Sequence, residues 1–215
     1  MVRPSRNVDV ALLEAGRALF PQSGIAGLSL RKVAERAGVN LGMFHYHFRT
    51  KDAFVRALLQ RLYDGMFAEL ELAAAGDTRP VEALRASANV LARFVRDNRL
   101  LLRRLMADAV ASEPIAVEFV RINLPRHIGV IGALVAAGQR AGVLKPVPIA
   151  QALAFIAGAV GAPILIGGAI VERDEAPAAL RRTFESAVLS DAALAERVDL
   201  VLAGLRAPRS RARHP

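Results

Sequence analysis

SLRKVAERAGVNLGMFHYHFRTK, residues 29–51, is the part of the sequence that decides the fold. It opens on Ser29, a side chain that can cap the first turn of a helix. Four apolar residues follow at helical spacing before a glycine ends the segment: Leu30, Val33, Ala34 and Ala37. Asn40 can cap a second helix, in which Phe44 and Phe48 lie one turn apart on the same side. Two short helices joined by a glycine-containing turn predict a helix-turn-helix, which presents the start of its second helix to the major groove of DNA.

The side chains around this unit are of the types that bind nucleic acid. Positive charge, hydrogen-bond donors and ring edges come from Arg31, Lys32, Arg49, Lys51, His45, Tyr46 and His47. The segment GVNLGMFHYHFRTKDAF, residues 38–54, resembles the signature of the TetR (tetracycline-repressor) family of bacterial regulators. The family pattern usually has small or polar residues where this chain has Leu41 and Met43, and a Tyr where it has His45. These departures affect which bases are read, not whether DNA is bound.

The resemblance implies which residues read bases. Family positions that face base edges are occupied here by Leu41, Gly42, Met43 and His45, and the position of Arg31 often reaches a base or the backbone. Leu41 and Met43 have no polar atoms, so they can contact only thymine methyl groups or the groove wall. Arg31 and His45 are then the polar readers. In an alternative interpretation, Met43 packs inward.

The resemblance also implies phosphate contacts. Tyr46, His47 and Lys51 match family positions that hold phosphates. Ser29 starts the first of the two helices, where free backbone amides and the helix dipole favour a phosphate. The alternative for each of these side chains is simple solvation at a helix end.

His45 and His47 raise the question of a metal site, because histidine is a common metal ligand. Residues two apart on a helix point to different faces, and the sequence contains no cysteine. We therefore expect no metal and no cofactor. We also expect no enzyme, since the sequence lacks a glycine-rich phosphate loop after a strand and a serine in a strained elbow.

The net charge of +9 is concentrated towards the two ends of the chain. Residues 1–56 hold nine basic and four acidic side chains, the tail from Arg206 adds four basic ones, and residues 57–205 hold 16 of each sign. A basic excess favours nucleic acid or an acidic membrane surface, and its position on the helix-turn-helix favours DNA. Charged residues near the N-terminus interrupt the apolar run that a signal peptide needs, so we expect a cytoplasmic protein.

Composition predicts an all-α protein. Ala and Leu dominate and only 5% of residues are aromatic, which favours helix over strand. We predict a three-helix helix-turn-helix DNA-binding domain over residues 1–50 and a helical bundle for ligand binding and dimerisation over residues 51–206. Residues 207–215 are predicted to be a disordered basic tail. Thr50 is expected to cap a long helix that joins the two domains through continuous backbone.

Residues 149–171 contain no charged side chain and a single polar one, Gln151. About 20 apolar residues suffice to cross a bilayer, so a membrane span is one interpretation. The high Ala and Gly content, Pro163 and the lack of flanking Trp or Tyr argue against it. We favour a helix buried between the protein core and a partner subunit, and expect no membrane among the partners.

The last predicted helix carries a single apolar seam. Its members are spaced by four, three and four residues: Leu194, Val198, Val201 and Leu205. A seam of this kind on a terminal helix is typical of helix pairing between subunits, so we predict a dimer interface there and along the uncharged helix.

The resemblance implies a cavity for a small effector, enclosed by the fifth to seventh helices. A loose polar cluster flanks Pro125 in this region and consists of Arg121, Asn123, Arg126 and His127. One or two of these residues could meet a polar or acidic group of an otherwise largely apolar ligand. The alternative is a solvated face, to which we also assign Arg103 and Arg104.

These features predict a TetR-family regulator, usually a repressor in this family, that binds double-stranded DNA as a homodimer. Its operator should be near-palindromic, and a small-molecule effector should release it. Two alternatives stay open. One is a dimeric DNA-binding regulator without an effector, and the other is a DNA-binding protein anchored in the membrane through residues 149–171.

Overall fold

The computed structural model describes residues 8–171 and 176–208, and these residues form helices without any strand. The predicted basic tail lies outside them, apart from Ala207 and Pro208. Eleven α-helices and two π-helical segments occur within the described part: α1 Val8–Gly27, α2 Leu30–Arg36, α3 Leu41–His47, α4 Lys51–Ala75, α5 Pro80–Asp97, α6 Arg99–Val110, α7 Pro114–Arg140, α8 Ile149–Ala162, π1 Pro163–Gly167, α9 Gly168–Val171, α10 Ala178–Phe184, π2 Glu185–Leu189 and α11 Asp191–Leu205. The predicted all-α architecture is confirmed.

The predicted caps of the helix-turn-helix are confirmed. Ser29 Oγ accepts a hydrogen bond from the backbone N–H of Lys32 at 3.4 Å, and Asn40 Oδ1 accepts one from Met43 at 2.9 Å. The turn between α2 and α3 contains Gly38 with a φ of 70°, where a side chain would be strained. Thr50 Oγ1 accepts from the backbone N–H of the third residue after it and so starts α4.

The chain divides into two compact units. The first compact unit comprises the described residues up to Gly65 together with Asn98–Leu124, and the second comprises Met66–Asp97 and the described residues from Pro125 onward. The predicted boundary after residue 50 therefore falls inside the first compact unit. The reason is that α6 and the start of α7 add Leu101, Leu105, Ile115 and Ala116 to the core beneath α1 and α4.

The core of the first compact unit contains a set of aromatic rings. Phe20, Phe44 and Phe54 are fully buried, and the ring centroids of Phe44 and Phe54 are 5.1 Å apart. A Cβ added to Gly16 would lie 2.5 Å from the Phe54 ring, so only glycine permits α1 and α4 to approach this closely. This packing fixes α3 through Phe44, whose side chain is the anchor of the reading helix.

In the second compact unit, α11 packs against α5 and α8. This corrects the predicted dimer seam, because its four residues lie inside the fold of one chain, with exposures between 1% and 7%: Leu194, Val198, Val201 and Leu205. An apolar stripe of this spacing marks a buried helix face, whether the partner is another subunit or the chain itself. Here α5 and α8 supply the partner, so the seam prediction is wrong.

The uncharged run folds as α8, π1 and α9. Its inward residues recur every fourth position, and the buried ones include Ala152, Ile156, Val160 and Ile164. The opposite side is open to solvent, since Phe155, Ile166 and Ile170 are 46%, 63% and 61% exposed. Two helices, Pro114–Arg140 and Ile149–Val171, are long and apolar enough to cross a membrane by length and composition.

Candidate DNA-binding surface

The reading helix α3 presents one face to solvent. Leu41 and Tyr46 are 39% and 76% exposed, and Gly42 and His45 are also exposed. These four positions share one side of a helix, opposite to the buried Phe44. Four residues of α3 are therefore accessible at once, which is the geometry that a groove-reading helix needs.

Met43 and His47 differ from this exposed set. Met43 is half-buried, so its side chain is only partly available to a base. His47 is half-buried as well, and its Nε2 atom has no hydrogen-bond partner among the described residues. The two rings of Tyr46 and His47 contact each other edge to face, with centroids 5.2 Å apart.

Four cationic side chains of α2 and of the segment between α3 and α4 are exposed: Arg31, Lys32, Arg36 and Arg49. Within residues 8–171 and 176–208, none of these side chains makes a hydrogen bond or an ion pair. Arginines of the second compact unit behave differently. Arg79 binds Asp77 at 2.9 Å and Arg85 binds Asp199 at 2.7 Å. The positive charge of these four side chains is thus free for an external anion.

The paired charges of the second compact unit also shift acid strengths. The hydrogen bond from Arg96 lowers the pKa of the Asp191 carboxyl below its ordinary value, and Arg79 does the same for the pKa of Asp77. The Arg96–Asp191 pair joins the end of α5 to the start of α11, whereas Arg79 and Asp77 pair within the turn before α5. Their arrangement is structural.

Two of the predicted phosphate contacts are already used within the chain. Ser29 caps α2, and the Nζ atom of Lys51 donates to the backbone carbonyl of Ala26 at 2.6 Å. An ammonium group has three donors, so Lys51 can hold this carbonyl and still donate to a phosphate. Tyr46 is the most accessible member of the predicted set.

The sequence interpretation missed an arrangement between α1 and α6. Arg104 was assigned to a solvated face, yet its Nη2 atom lies 2.9 Å from Oδ1 of Asp108, a carboxylate that is only 6% exposed. Oδ2 of Asp108 accepts from the backbone N–H of Ile25 in α1 at 2.9 Å. A signal was present, since Asp108 continues the apolar spacing of Leu101 and Leu105 along α6.

The predicted ligand cluster on α7 is not assembled into one site. Asn123 is buried and donates to the Phe119 carbonyl at 3.0 Å, while Arg126 lies 4.1 Å above the centroid of the Phe67 ring. Arg121 is exposed and His127 is half-buried. Asn123 and Arg126 are therefore engaged in contacts within the chain.

A groove of about 890 Å³ lies instead in the second compact unit. It runs between the end of α4, one face of α5 and the start of α11, and its lining includes Glu82, Arg85, Asn89, Arg93 and Asp191. The lining is mixed, because six small or apolar residues face the groove beside these polar ones: Ala73, Gly76, Ala86, Val90, Leu194 and Ala195. None of the four cluster residues contributes to it.

The fold and this surface define a helix-turn-helix protein. Residues 12–58 match the family model described as bacterial regulatory proteins, tetR family. The chain is 28% identical over 137 residues to the HTH-type transcriptional regulator RutR of Escherichia coli (strain K12), a match that spans 64% of each protein. The matched segment thus covers less than two thirds of RutR.

Solved structures share the whole fold. The TetR-family regulator PfmR from Thermus thermophilus superposes with a TM-score of 0.67 at 20% identity, covering 89% of this chain and 97% of that one. The regulator FadR from Bacillus subtilis, solved in complex with stearoyl-CoA, superposes with a TM-score of 0.67 at 13% identity. The superposition covers 91% of this chain and 98% of FadR. Residues 12–58 of this chain are a helix-turn-helix domain of the TetR family of bacterial regulatory proteins.

Proposed function

We propose that this chain is a dimeric transcriptional regulator that binds a near-palindromic operator and leaves it when a small, largely apolar effector binds. The observation that carries the proposal is the exposed face of α3 beside Arg31, Lys32, Arg36 and Arg49, which have no partner in the part of the chain that the structure describes. The family match over residues 12–58 supports it. Cytoplasmic location is part of the same proposal.

DNA would be bound in two ways by this surface. Arg31 and His45 read base edges, and Leu41 contacts thymine methyl groups or the groove wall. The remaining cations and Tyr46 bind phosphates, which set the register of the protein on the duplex and add no sequence information. Each phosphate neutralised releases counterions, so affinity falls steeply with salt concentration.

A second copy of the chain completes the proposed operator complex. Two reading helices related by a twofold axis enter successive major grooves roughly 34 Å apart. The exposed apolar residues of the uncharged run, residues 149–171, support an interface there: Phe155, Ile166 and Ile170. Leu180 of α10, which is 46% exposed, is a further apolar residue at the surface. The buried α11 seam has no part in this interface.

Effector control is proposed by analogy with a relative. The structure of FadR holds stearoyl-CoA, a molecule with a long apolar chain, and this supports a largely apolar effector for the present chain. An effector that binds more tightly to the DNA-free form shifts the population away from the operator by its difference in affinity. Of the predicted polar cluster, Arg121 is exposed and is the candidate contact for the effector's polar group.

One alternative is a membrane-anchored DNA-binding protein, which the apolar length of Ile149–Val171 favours. Fractionation of cells that express the full chain separates the two interpretations. A soluble dimer excludes the anchor, and recovery with the membrane fraction after a salt wash supports it. A regulator without an effector is the other alternative, and it predicts that no small molecule alters operator affinity.

Selection of duplexes from a random pool by the full chain tests the proposal. The expected outcome is a near-palindromic sequence whose two halves are about one helical turn apart. Affinity for the selected duplex should fall linearly on a logarithmic salt scale. Recovery of no sequence, together with no duplex binding at low salt, would remove the proposal.

A further inference from the structure

Asp108 stands on the face of α6 that packs into the core of the first compact unit. Leu101 and Leu105 lie seven and three residues before it on the same stripe, and both are buried at 3%. Among the described residues, Asp108 is the one buried carboxylate, at 6% exposure. A buried charge opposes folding unless it is paired, and replacing a whole buried ion pair by apolar residues of similar volume is often neutral or stabilising. Its presence therefore calls for a reason other than stability.

Both oxygens of this carboxylate are occupied by specific partners. Oδ2 accepts the backbone N–H of Ile25 at 2.9 Å in a buried hydrogen bond, and Oδ1 pairs with Arg104 at 2.9 Å. The Arg104 guanidinium in turn lies against Gly24, because a Cβ built there would be 2.1 Å from Nε. The carboxylate, the guanidinium and the glycine thus form one contact between α6 and the end of α1.

The segment held by this contact is the Gly24 turn, residues 24–28, which begins at the non-helical Gly24 near the end of α1 and leads to α2. Its side chains at Ile25 and Leu28 are 4% and 3% exposed and reach the core. Lys51, in the first turn of α4, holds the carbonyl of Ala26 at 2.6 Å. The next residue after the turn, Ser29, caps α2. The position of the Gly24 turn therefore sets where the helix-turn-helix begins.

We propose that Asp108 is a positioning residue for DNA recognition, acting through its hydrogen bond to Ile25. This rests on the DNA-binding function proposed above. An apolar contact between α1 and α6 allows small shifts along the helices, whereas a single acceptor facing a single backbone donor fixes one register. A reading helix must be held within about 0.5 Å of its productive position, so loss of that register costs sequence recognition first.

The experiment compares Asp108→Leu with Asp108→Asn in the full chain. The DNA probes are the duplex selected by the wild-type protein and an unrelated duplex of equal length and composition at low salt. Leucine removes the acceptor, whereas the asparagine carbonyl retains it and matches the shape. Asp108→Leu should lower the Tm, because the buried N–H of Ile25 loses its acceptor, and should lose about tenfold or more in affinity for the selected duplex below that Tm. Its affinity for the unrelated duplex should not fall.

Asp108→Asn should keep affinity for the selected duplex within about threefold of the wild type, since one hydrogen-bond acceptor is conserved. If leucine is not accommodated, Asp108→Ala removes the acceptor without adding bulk. Unchanged binding of the selected duplex by the acceptor-free variant would overturn the proposal. An equal loss of affinity for both duplexes, together with a large fall in Tm, would show a purely structural role. If Asp108→Asn lost as much affinity for the selected duplex as Asp108→Leu, the hydrogen bond to Ile25 would be excluded as the cause. A wild type that selects no sequence would instead remove the proposed function.

Discussion

Gly24 adopts a φ of 62° and a ψ of −169°, a region of backbone space that is essentially restricted to glycine. Gly24→Ala should lower the free energy of unfolding by about 1–3 kcal/mol through backbone strain alone. The new Cβ would also displace the Arg104 guanidinium, because the two would be 2.1 Å apart. Urea denaturation monitored by circular dichroism measures the change.

Gly142→Ala is the matched control for this substitution. Gly142 also has a positive φ, 68°, but a Cβ there meets nothing within 4 Å. The loss at Gly24 should exceed the loss at Gly142, since both glycines have a positive φ and only Gly24 adds the clash. Equal losses would show that Arg104 moves aside without cost.

Arg31 and Arg49 are both exposed cations near α3, yet the proposal gives them different tasks. Arg31→Ala should weaken binding to the selected duplex by about 1–3 kcal/mol more than binding to an unrelated duplex, because it removes a base contact. Arg49→Ala should weaken both alike and lower the salt slope by about one, because it removes a phosphate contact. Fluorescence anisotropy across a salt series measures both. Identical profiles for the two variants would end the assignment of Arg31 as a base reader.

At the scale of the helix, α11 shows how burial decides what an apolar stripe is for. The Val198 side chain is 1% exposed because α11 packs against its neighbouring helices, whereas that of Leu200, two residues later, is 66% exposed. Val198→Glu should lower the free energy of unfolding by more than about 3 kcal/mol, because it buries an unpaired charge. Leu200→Glu should change it by less than about 0.5 kcal/mol. Thermal denaturation compares the two, and a folded but monomeric Val198→Glu protein would restore the seam as a subunit interface.

The elements that the sequence predicted well are those specified by neighbouring residues. Ser29, Asn40 and Thr50 cap helices through bonds to backbone groups three residues away, so local chemistry identifies these starts. The prediction of a dimer interface on α11 was wrong because the apolar spacing indicates a buried helix face. It does not indicate whether that face packs against another subunit or against the same chain. The Asp108 contact could not be predicted from local sequence either, because its partner Ile25 is 83 residues away in the chain.

At the scale of the whole molecule, the candidate site was predicted in part. The exposed face of α3 and the free cations follow from a motif that lies within one short segment. The predicted boundary after residue 50 falls inside the first compact unit, because α6 and the start of α7 pack into the core beneath α1 and α4. The groove lining was missed for the same reason, since it draws residues from α4, α5 and α11, which are distant in sequence.

The proposed dimer is the last element that the operator complex needs, and the exposed side of the uncharged helix offers a direct test. Ile166 and Ile170 are 63% and 61% exposed, so replacing both with Glu should leave the fold of the chain intact and remove the apolar contact with a second copy. The double variant should sediment as a monomer. Its affinity for a duplex with two half-sites should fall by about 100-fold or more, because the second contact is no longer linked to the first.

Two controls separate dimerisation from reading in this experiment. Leu72→Glu changes an exposed leucine of α4, at 75%, and should leave the dimer and its affinity unchanged. A duplex with one half-site should bind the double variant and the wild-type protein alike, because each engages it through a single α3. A double variant that remains dimeric would place the interface elsewhere. A monomer that still binds both half-sites at full affinity would mean that the operator is read by one chain at a time.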